Sequence, residues 1–413
     1  MPDLSLKIPR AEIDRLVSAV GVEDHQVEAF AAAAISHFTE PADRFSGALA
    51  AYLGYPVLLA AILNHWSEQE IAHGLGDNLS EIEELFNCRV GQLWSDALQR
   101  WLPRLNSNQV RNQLQVAASL GGKLIDQNSS FYVEKLQALG WAKPHVIWLR
   151  GNPQVLEYQT SLALVGSRIM SSYGQRVAVD IAATCSDYQV TTISGGAFGV
   201  DAMVHRASLE QNSPTIAVMA GGLDGLYPRG NSELFAKLLE ANAIIAEVPP
   251  GVTPAKWRFL QRNRIIAALS DATVVVEAGI RSGSISTAKH AIELARQVGV
   301  VPGSIYDSAV AGCLKLLREN PESVSAISRP EDAMELVGIS TSKFELDSTN
   351  YLGALETRAL DAFGSRALTP LDVQRIAGLT TNESMTALGS LELLGMLERS
   401  GATYRKVRNT LEA

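Results

Sequence analysis

Strands and helices alternate between about residues 160 and 300, and this alternation limits the possible folds more than any other feature of the chain. Short apolar runs such as "LALV", "TIAVM" and "TVVVEA" are separated by amphipathic stretches such as "YGQRVAVDIAATCSD" and "ISTAKHAIELARQ". Continuous apolar runs fit strands that are buried on both faces, and an intervening helix lets consecutive strands run parallel. The pattern therefore predicts an α/β fold with a Rossmann-like, doubly wound, mostly parallel sheet.

Glycine-rich segments follow the predicted strands. In chain order they are "GSR", "SGGAFG", "AGGLDG", "PPG", "AGIRSGS" and "PGS". Because the carboxyl ends of parallel strands share one edge, where open α/β folds bind ligands, we expect these segments to lie on one rim. Neither the dinucleotide motif G-x-G-x-x-G nor a Walker A motif is present, so the sequence predicts no cofactor and no ATP hydrolysis.

The regions on either side of this pattern do not show the alternation of strands and helices. Residues 1–125 repeat apolar residues at helical spacing and predict an N-terminal helical domain, followed by the Rossmann-like domain over 126–330. Residues 331–350 are typical of a linker. Residues 351–413 predict three helices, the second capped by Thr369, and a basic strand-like end, an order typical of a winged helix. A small protein-docking domain remains the alternative, because the third helix carries two Glu and no Lys or Arg.

Composition restricts the class of protein further. The 413 residues are too many for one hydrophobic core, and 46% hydrophobic with 19% charged residues is typical of a globular chain. A net charge of −9 argues against a protein that binds nucleic acid over its whole surface. Three widely separated cysteines, a polar amino terminus and scattered histidines predict a cytoplasmic protein with no membrane span and no metal site.

Two segments carry candidate binding residues. In "LALVGSR", Gly166 is expected to make room for a phosphate at the start of the next helix, and Arg168 offers a fork that matches phosphate oxygens. An ion pair with a carboxylate is the alternative role for Arg168. The small residues of the loop at 194–205 let backbone amides approach an anion, although a tight turn packed under a helix fits the same glycines.

The segment at 253–266, "TPAKWRFLQRNRII", interleaves aromatic residues and cations. Bases stack on aromatic rings while cations follow a nucleic-acid backbone, so the segment predicts a single-strand contact. An amphipathic helix with Phe259 in the core is the alternative, and Asn263 is a candidate cap for a helix that begins there. The residues concerned are Lys256, Trp257, Arg258, Phe259, Arg262 and Arg264.

The segment "EAGIRSGSISTAKHA" weighs against catalysis. Nucleotide-hydrolysing relatives of this fold carry a P-G-G-x-G-T loop followed closely by a catalytic glutamate, whereas here Lys289 stands where a base is needed. His205 and His290 have no recognisable Ser or Asp partner in the sequence, which favours structural roles for both. The sequence therefore predicts a protein that is not an enzyme, with a nucleotide-binding hydrolase of the lysine-decarboxylase-like Rossmann group as the alternative.

Five segments resemble, in the same order, the motifs of the DNA-processing protein A family (DprA, also called Smf). They are "VGSR…SSYG", "ISGGAFGVDAMVH", "AGGLDGLYPRGN", "RNRIIAALSDATVVVEAGIRSGSISTA" and "VVPGSI", which with the lead-in at 135–152 cover about half of the chain. Residues 1–125 are only loosely similar to the family's helical (SAM-like) domain. One departure is Arg258-Phe259-Leu260, where the family usually has Asn-Phe-Pro, and we expect a looser turn there.

The resemblance implies a single-stranded DNA-binding recombination mediator that is not an enzyme. It also implies that the protein protects incoming DNA, loads RecA during natural transformation, and forms a homodimer through the Rossmann-like domain. Carried onto matching positions, the family's DNA contacts are Ser167, Arg168, Ser194, Gly195, Gly196, Lys256, Phe259, Arg262, Asn263, Arg264, Ser282, Gly283 and Ser284.

Overall fold

A computed structural model of the chain describes residues 8–341, 352–364 and 366–407. The chain divides into two compact units, Met1–Ser340 and Thr341–Ala413. The first unit contains a large sheet with its helices, and the second is a small helical unit with a hairpin.

The sheet of the first unit has nine strands in the described part of the chain, ordered β1-β2-β6-β5-β4-β3-β7-β8-β9. The seven strands from β6 to β9 in that order pair in parallel, while β1 and β2 add an antiparallel edge. The predicted α/β fold with a mostly parallel sheet is therefore confirmed. The strands are β1 (Lys123–Ile125), β2 (Ile147–Gly151), β3 (Ser161–Val165), β4 (Thr191–Ser194), β5 (Thr215–Met219), β6 (Ala243–Ala246), β7 (Ala272–Val275), β8 (Gln297–Val300) and β9 (Val324–Ala326).

Helices cover both faces of the sheet. Side chains alternate between the faces along each strand, so that Leu162 and Leu164 of β3 pack into one core while Ala163 and Val165 pack into another. The first of these cores contains α9, α10 and α15, and the second contains α12, α13 and α14. The helices are α9 (Ser172–Asp187), α10 (Val200–Glu210), α11 (Ser232–Ala241), α12 (Lys256–Leu269), α13 (Ser284–Glu293), α14 (Ala311–Glu319) and α15 (Asp332–Leu336).

The N-terminal helices share a hydrophobic core with the sheet. Phe30, Leu58 and Trp94 belong to the same cluster of buried residues as Trp148 of β2 and Ile244 of β6. The predicted boundary at residue 125 therefore falls inside one compact unit, between two paired strands. These helices are α1 (Arg10–Ser18), α2 (Gln26–Phe38), α3 (Arg44–Leu53), α4 (Tyr55–Leu63), α5 (Glu68–Leu75), α6 (Leu79–Phe86), α7 (Val90–Trp101) and α8 (Ser107–Ser119).

The chain reverses its direction of travel across the sheet at β3. From β3 it proceeds through β4 and β5 to β6, and it then returns to place β7, β8 and β9 on the other side of β3. The loops that follow the neighbouring strands β3 and β7 consequently lead away from each other and leave a crevice at the carboxyl edge. Such a switch point is where open α/β sheets bind their ligands.

The segment predicted as a linker begins with ordered structure. Helix α15 lies within it, and Ala333 and Met334 are fully buried against the core that contains α9. The first unit therefore extends to Ser340, and residues 342–351 lie outside the described residues.

In its described residues, the second unit has three helices followed by a hairpin. As predicted, Thr369 caps the second helix, because its hydroxyl accepts a hydrogen bond from the backbone N–H of Asp372. Leu360, Val373 and Leu388 are among the side chains of its small core. The elements are α16 (Ala354–Asp361), α17 (Pro370–Ala377), α18 (Thr381–Leu393), β10 (Leu397–Ser400) and β11 (Thr403–Lys406).

Within the part of the chain that the structure describes, no single helix is both long and apolar enough to cross a bilayer. The helices Arg44–Leu53 and Tyr55–Leu63 together have the length and composition of a span, but they are bent by 113° at their junction. In residues 8–341, 352–364 and 366–407, His, Cys, Asp and Glu side chains do not gather in groups of three or more that could hold a metal ion.

Candidate nucleic-acid interface

A cleft of about 920 Å³ lies at the switch point between β3 and β7. Its walls are the loop after β3, the loop after β7 and the first turns of α12, the helix that crosses back over the sheet between β6 and β7. Among the predicted contacts, the lining includes Ser167, Arg168, Lys256, Phe259, Arg262, Asn263, Ser282, Gly283 and Ser284.

The aromatic ring of Phe259, with two guanidinium groups near it, forms the centre of the cleft. The ring centroid of Phe259 lies 5.2 Å from Cζ of Arg168 and 5.9 Å from Cζ of Arg262, both within cation–π range. Tyr227 meets Phe259 edge to face at 6.0 Å and is 47% exposed. Because Arg168 is exposed and Phe259 is half-buried, the cleft presents a free cation beside an accessible ring.

The two other arginines predicted to bind DNA are buried. Arg262 is 7% exposed and donates hydrogen bonds to the carbonyl oxygens of Gly195 (2.8 Å) and Val218. Burial lowers the pKa of Arg262 to about 10, an effect that the carboxylate of Asp201 opposes. Burial likewise raises the pKa of Asp201, and the Arg262 charge opposes that change. Arg262 is therefore a fixed part of the cleft floor and supports the ring of Phe259.

Arg264 lies outside the cleft, which corrects its predicted position. The side chain is almost fully buried and forms an ion pair with Glu247. Residues two apart on a helix do not share a face, so Arg262 and Arg264 diverge from α12. The interaction of Arg264 with Glu247 belongs to the packed interior and leaves no free charge for DNA.

The helix α12 begins at Lys256, seven residues before Asn263, which the sequence suggested as its cap. The looser turn expected at Arg258-Phe259-Leu260 is absent, because Leu260 retains the backbone N–H that a proline would lack, and the helix continues through it. Asn263 is thus in the middle of the helix and is not its cap. Its side-chain Nδ2 donates to the carbonyl of Gly283 at 3.0 Å, which ties the loop after β7 to α12.

The glycine and serine residues at the end of β4 are buried below the cleft. Oγ of Ser194 donates to the carbonyl of Leu164 at 2.7 Å. A Cβ at Gly195 would lie 2.4 Å from Nη1 of Arg262, and Gly196 adopts a φ of +65°, so both positions require glycine for reasons of packing. These three residues fit the tight-turn alternative, and none of them is part of the cleft lining.

The start of α9 is also organised differently from the expectation for a phosphate site. A Cβ at Gly166 would lie 2.6 Å from Cγ2 of Val200, so this glycine allows the β3 loop to pack closely against α10. The carboxylate of Glu277 accepts a hydrogen bond from the backbone N–H of Ser171 at 2.9 Å, and a protein anion therefore occupies this helix end. The hydroxyl of Ser167 donates to the carbonyl of Ile169 at 2.5 Å, within the same loop.

The structure adds residues that sequence reasoning missed. Tyr227 and Arg281 line the cleft, whereas Trp257 does not, and the guanidinium of Arg258 lies 4.6 Å from the Trp257 ring. Tyr227 lies in the motif "AGGLDGLYPRGN" and Arg281 in "AGIRSGS", and both motifs were expected at the carboxyl edge of the sheet. Arg168, Lys256 and Arg281 are all exposed, and none forms an ion pair with another described residue.

The two histidines considered as bases lie away from the cleft lining. His205 is fully buried, Nδ1 shares a hydrogen bond with Oγ1 of Thr215 at 2.8 Å, and burial lowers its pKa to about 3. His290 pairs with Glu293 on the surface of α13 at 3.0 Å. Both side chains have local structural partners.

Comparisons with known proteins identify the family of the chain. A family model described as DNA recombination-mediator protein A matches residues 123–337. The DNA processing protein DprA of Mycobacterium tuberculosis is 34% identical over 345 residues, covering 79% of this chain and 88% of that protein. Protein Smf of Escherichia coli is 34% identical over 296 residues, covering 69% of this chain and 77% of its own length. The X-ray structure of DNA processing protein A from Streptococcus pneumoniae has a TM-score of 0.53 and 26% identity, covering 68% of this chain and 94% of that chain. The chain therefore belongs to the DNA recombination-mediator protein A family, the DprA/Smf family that its sequence motifs indicated.

Proposed function

We propose that this family member binds single-stranded DNA in the cleft between the β3 and β7 loops. The observation that carries the proposal is the exposed guanidinium of Arg168, which lies 5.2 Å from the Phe259 ring in an open cleft at the switch point. Phosphate oxygens match the guanidinium, and an unpaired base matches the ring.

Single strands are favoured over duplex because the aromatic groups are accessible inside a concave site. Phe259 and Tyr227 present partly exposed rings, and a base can stack on them only when its own face is free. In duplex DNA each base is already stacked on its neighbours. The preference therefore depends on the ring of Phe259, whereas the overall affinity depends mainly on the cations.

The proposed contacts fall into two groups. Ser167, Lys256 and the loop Ser282–Ser284 line the cleft with Arg168 and Phe259, and we add Tyr227 and Arg281 to these direct contacts. The second group supports the site from below through the hydrogen bonds described above. It consists of Ser194, Gly195, Gly196, Arg262 and Asn263.

We propose that the protein is not an enzyme. The carboxylate that lines the described part of the cleft, Asp201, is buried beneath Arg262 and accepts a hydrogen bond from the backbone of Ala197. Lys289 follows the loop in place of a catalytic glutamate. The competing hypothesis, a nucleotide-binding hydrolase, predicts the release of base from nucleoside monophosphates, and chromatography after incubation with them tests it.

The remaining elements of the proposal come from the family resemblance. They are protection of incoming DNA, loading of RecA during natural transformation, a homodimer through the Rossmann-like domain, and action in the cytoplasm. The functional division into 1–125, 126–330, 331–350 and 351–413 and the winged-helix assignment are proposals as well. The order of α16, α17, α18 and the hairpin supports the assignment, while the protein-docking alternative is supported by the lack of Lys and Arg on α18.

Oligothymidylate binding to the full chain tests the central proposal. We expect Arg168→Ala to weaken binding about tenfold, the loss of one charge-assisted contact. Arg206→Ala is the matched control, since Arg206 is an exposed arginine on α10 outside the cleft lining. Equal affinity of wild type and Arg168→Ala would contradict the assignment of the cleft. RecA loading is tested separately, by the rate of RecA assembly on single strands with and without the chain.

A further inference from the structure

Five large apolar side chains are exposed on three neighbouring loops at the carboxyl edge of the sheet and on the first turn of α9, and we call them the apolar rim. The loops follow β3, β7 and β8, which are adjacent strands. Exposed apolar groups that cluster in this way mark a binding surface. The side chains are Ile169 (87% exposed), Tyr173 (51%), Ile280 (60%), Ile305 (77%) and Tyr306 (92%).

The apolar rim is continuous with the cleft. Ile169 and Arg281 line the cleft, and Ile280 precedes Arg281 on the same loop. The residues that begin and follow the loop after β8 are joined to α9 and to the loop after β7, both on the same side of β8. The hydroxyl of Tyr173 donates to the carbonyl of Pro302 at 3.3 Å, and the backbone N–H of Gly312 donates to the carbonyl of Ala278 at 2.8 Å. Two strand spacings, about 10 Å, separate β8 from β3, the strands that precede these loops.

We propose that a single strand leaving the cleft continues over the apolar rim, where one of its unpaired bases stacks on Tyr306. This inference rests on the proposed function and adds a second base-binding position to it. Tyr306 suits the role because its ring is almost entirely free, while Tyr173 is half-exposed and holds Pro302. A distance of about 10 Å corresponds to about three nucleotides at a stacked rise of ~3.4 Å, and to fewer in an extended strand.

The charges around the apolar rim favour nucleic acid over a protein partner. Arg281 lies between the cleft and the rim and forms no ion pair with a described residue, so it can neutralise the phosphate that links the two positions. Of the nearby acids, Glu277 is buried, whereas Asp307 is exposed and forms a hydrogen bond within its own loop. Oδ1 of Asp307 accepts a hydrogen bond from the backbone N–H of Ala309 at 2.8 Å, and Glu277 is buried against Ser171. Aromatic rings beside free cations are the combination that single-strand grooves use.

Oligonucleotides of two lengths separate the cleft from the apolar rim. Fluorescence anisotropy on the full chain would compare labelled oligothymidylates of about four and about twelve nucleotides, within the range of single-strand site sizes. We expect Tyr306→Ala to leave the affinity for the short strand unchanged and to reduce the affinity for the long strand about fivefold to tenfold. Tyr306→Phe should retain the wild-type values, because the aromatic ring and not the hydroxyl carries the interaction.

Tyr188→Ala is the matched control, since Tyr188 is a partly exposed tyrosine that follows α9 at the opposite edge of the sheet. Unchanged long-strand affinity in Tyr306→Ala would overturn the inference while leaving the cleft intact. If wild type binds neither length, the proposed function fails together with the inference. A fall in molar mass for Tyr306→Ala by light scattering, with unchanged DNA affinities, would instead assign the apolar rim to contact between two copies of the chain and would also overturn the inference.

Discussion

The salt dependence of binding measures how many cations contact DNA. The structure and the sequence predict different numbers, because Arg262 and Arg264 are buried in the structure. Among the described residues that line the cleft, three are exposed cations, Arg168, Lys256 and Arg281. For single strands the slope of log K against log salt is about −0.7 for each neutralised phosphate, so we expect about −2.1. Between 50 and 200 mM salt the affinity should then fall about 18-fold.

Replacement of Arg281 tests this count directly. With two cations left, we expect the slope of Arg281→Ala to be about −1.4 and the fall in affinity over the same salt range to be about sevenfold. Arg264→Ala should retain the wild-type slope, because its charge is buried against Glu247, while its free energy of unfolding falls by about 3 kcal/mol as Glu247 loses its partner. Titrations at four or five salt concentrations, with urea unfolding of each variant, measure both quantities. An unchanged slope in Arg281→Ala, or a reduced slope in Arg264→Ala, would refute this reasoning.

Three further outcomes follow from the site. Phe259→Ala should lower the ratio of single-strand to duplex affinity by about fivefold or more in competition binding, because one stacking surface is lost; an unaltered ratio would exclude stacking there. Gly195→Ala should lower the free energy of unfolding by about 1–3 kcal/mol in urea, since the new Cβ would meet the guanidinium of Arg262 at 2.4 Å; wild-type stability would contradict the close approach. Burial lowers the pKa of His205 in the folded chain to about 3, below the ordinary value of 6.5, so its contribution to stability is present above pH 6.5 and is lost as the pH falls toward 3. Between pH 6.5 and 3, the free energy of unfolding of His205→Gln should change with pH less steeply than that of the wild type, by about 1.4 kcal/mol per pH unit. Equal slopes for the two proteins would show that His205 titrates normally.

The sequence predicted the central sheet because strands that are buried on both faces consist of continuous apolar runs. Each parallel strand from β3 to β8 coincides with an apolar run, and each helix between them with an amphipathic stretch. Strands β1, β2 and β9 were missed. Two of them have only three residues, and β2 ends in the polar pair Arg150-Gly151. Such short edge strands depend on a distant pairing partner, which a local pattern does not contain.

The sequence was sufficient to predict the position of the cleft, but not which side chains of α12 face it. Loops after strands were sufficient to place Arg168 and the Ser282–Ser284 segment at the carboxyl edge. Which side chains of α12 face the cleft depends on where that helix begins, and its start at Lys256 turns Arg262 toward Gly195 and Arg264 toward Glu247. The sequence alone counted Arg262 and Arg264 as equivalent cations. Arg281 was overlooked because a single arginine in a glycine-serine loop has no periodic pattern.

The distribution of charge explains how an acidic protein can bind a polyanion at one place. The chain carries a net charge of −9, which disfavours binding of DNA over the whole surface, and the exposed cations of the cleft supply a local attraction. Burying Arg262 between backbone carbonyls and Asp201 fixes the position of the Phe259 ring without adding to that attraction. With about three phosphate contacts, electrostatics alone gives modest affinity at physiological salt, and base stacking must supply the remainder. Stacking requires unpaired bases, so the small number of free cations is itself a reason for the chain to select single strands over duplex.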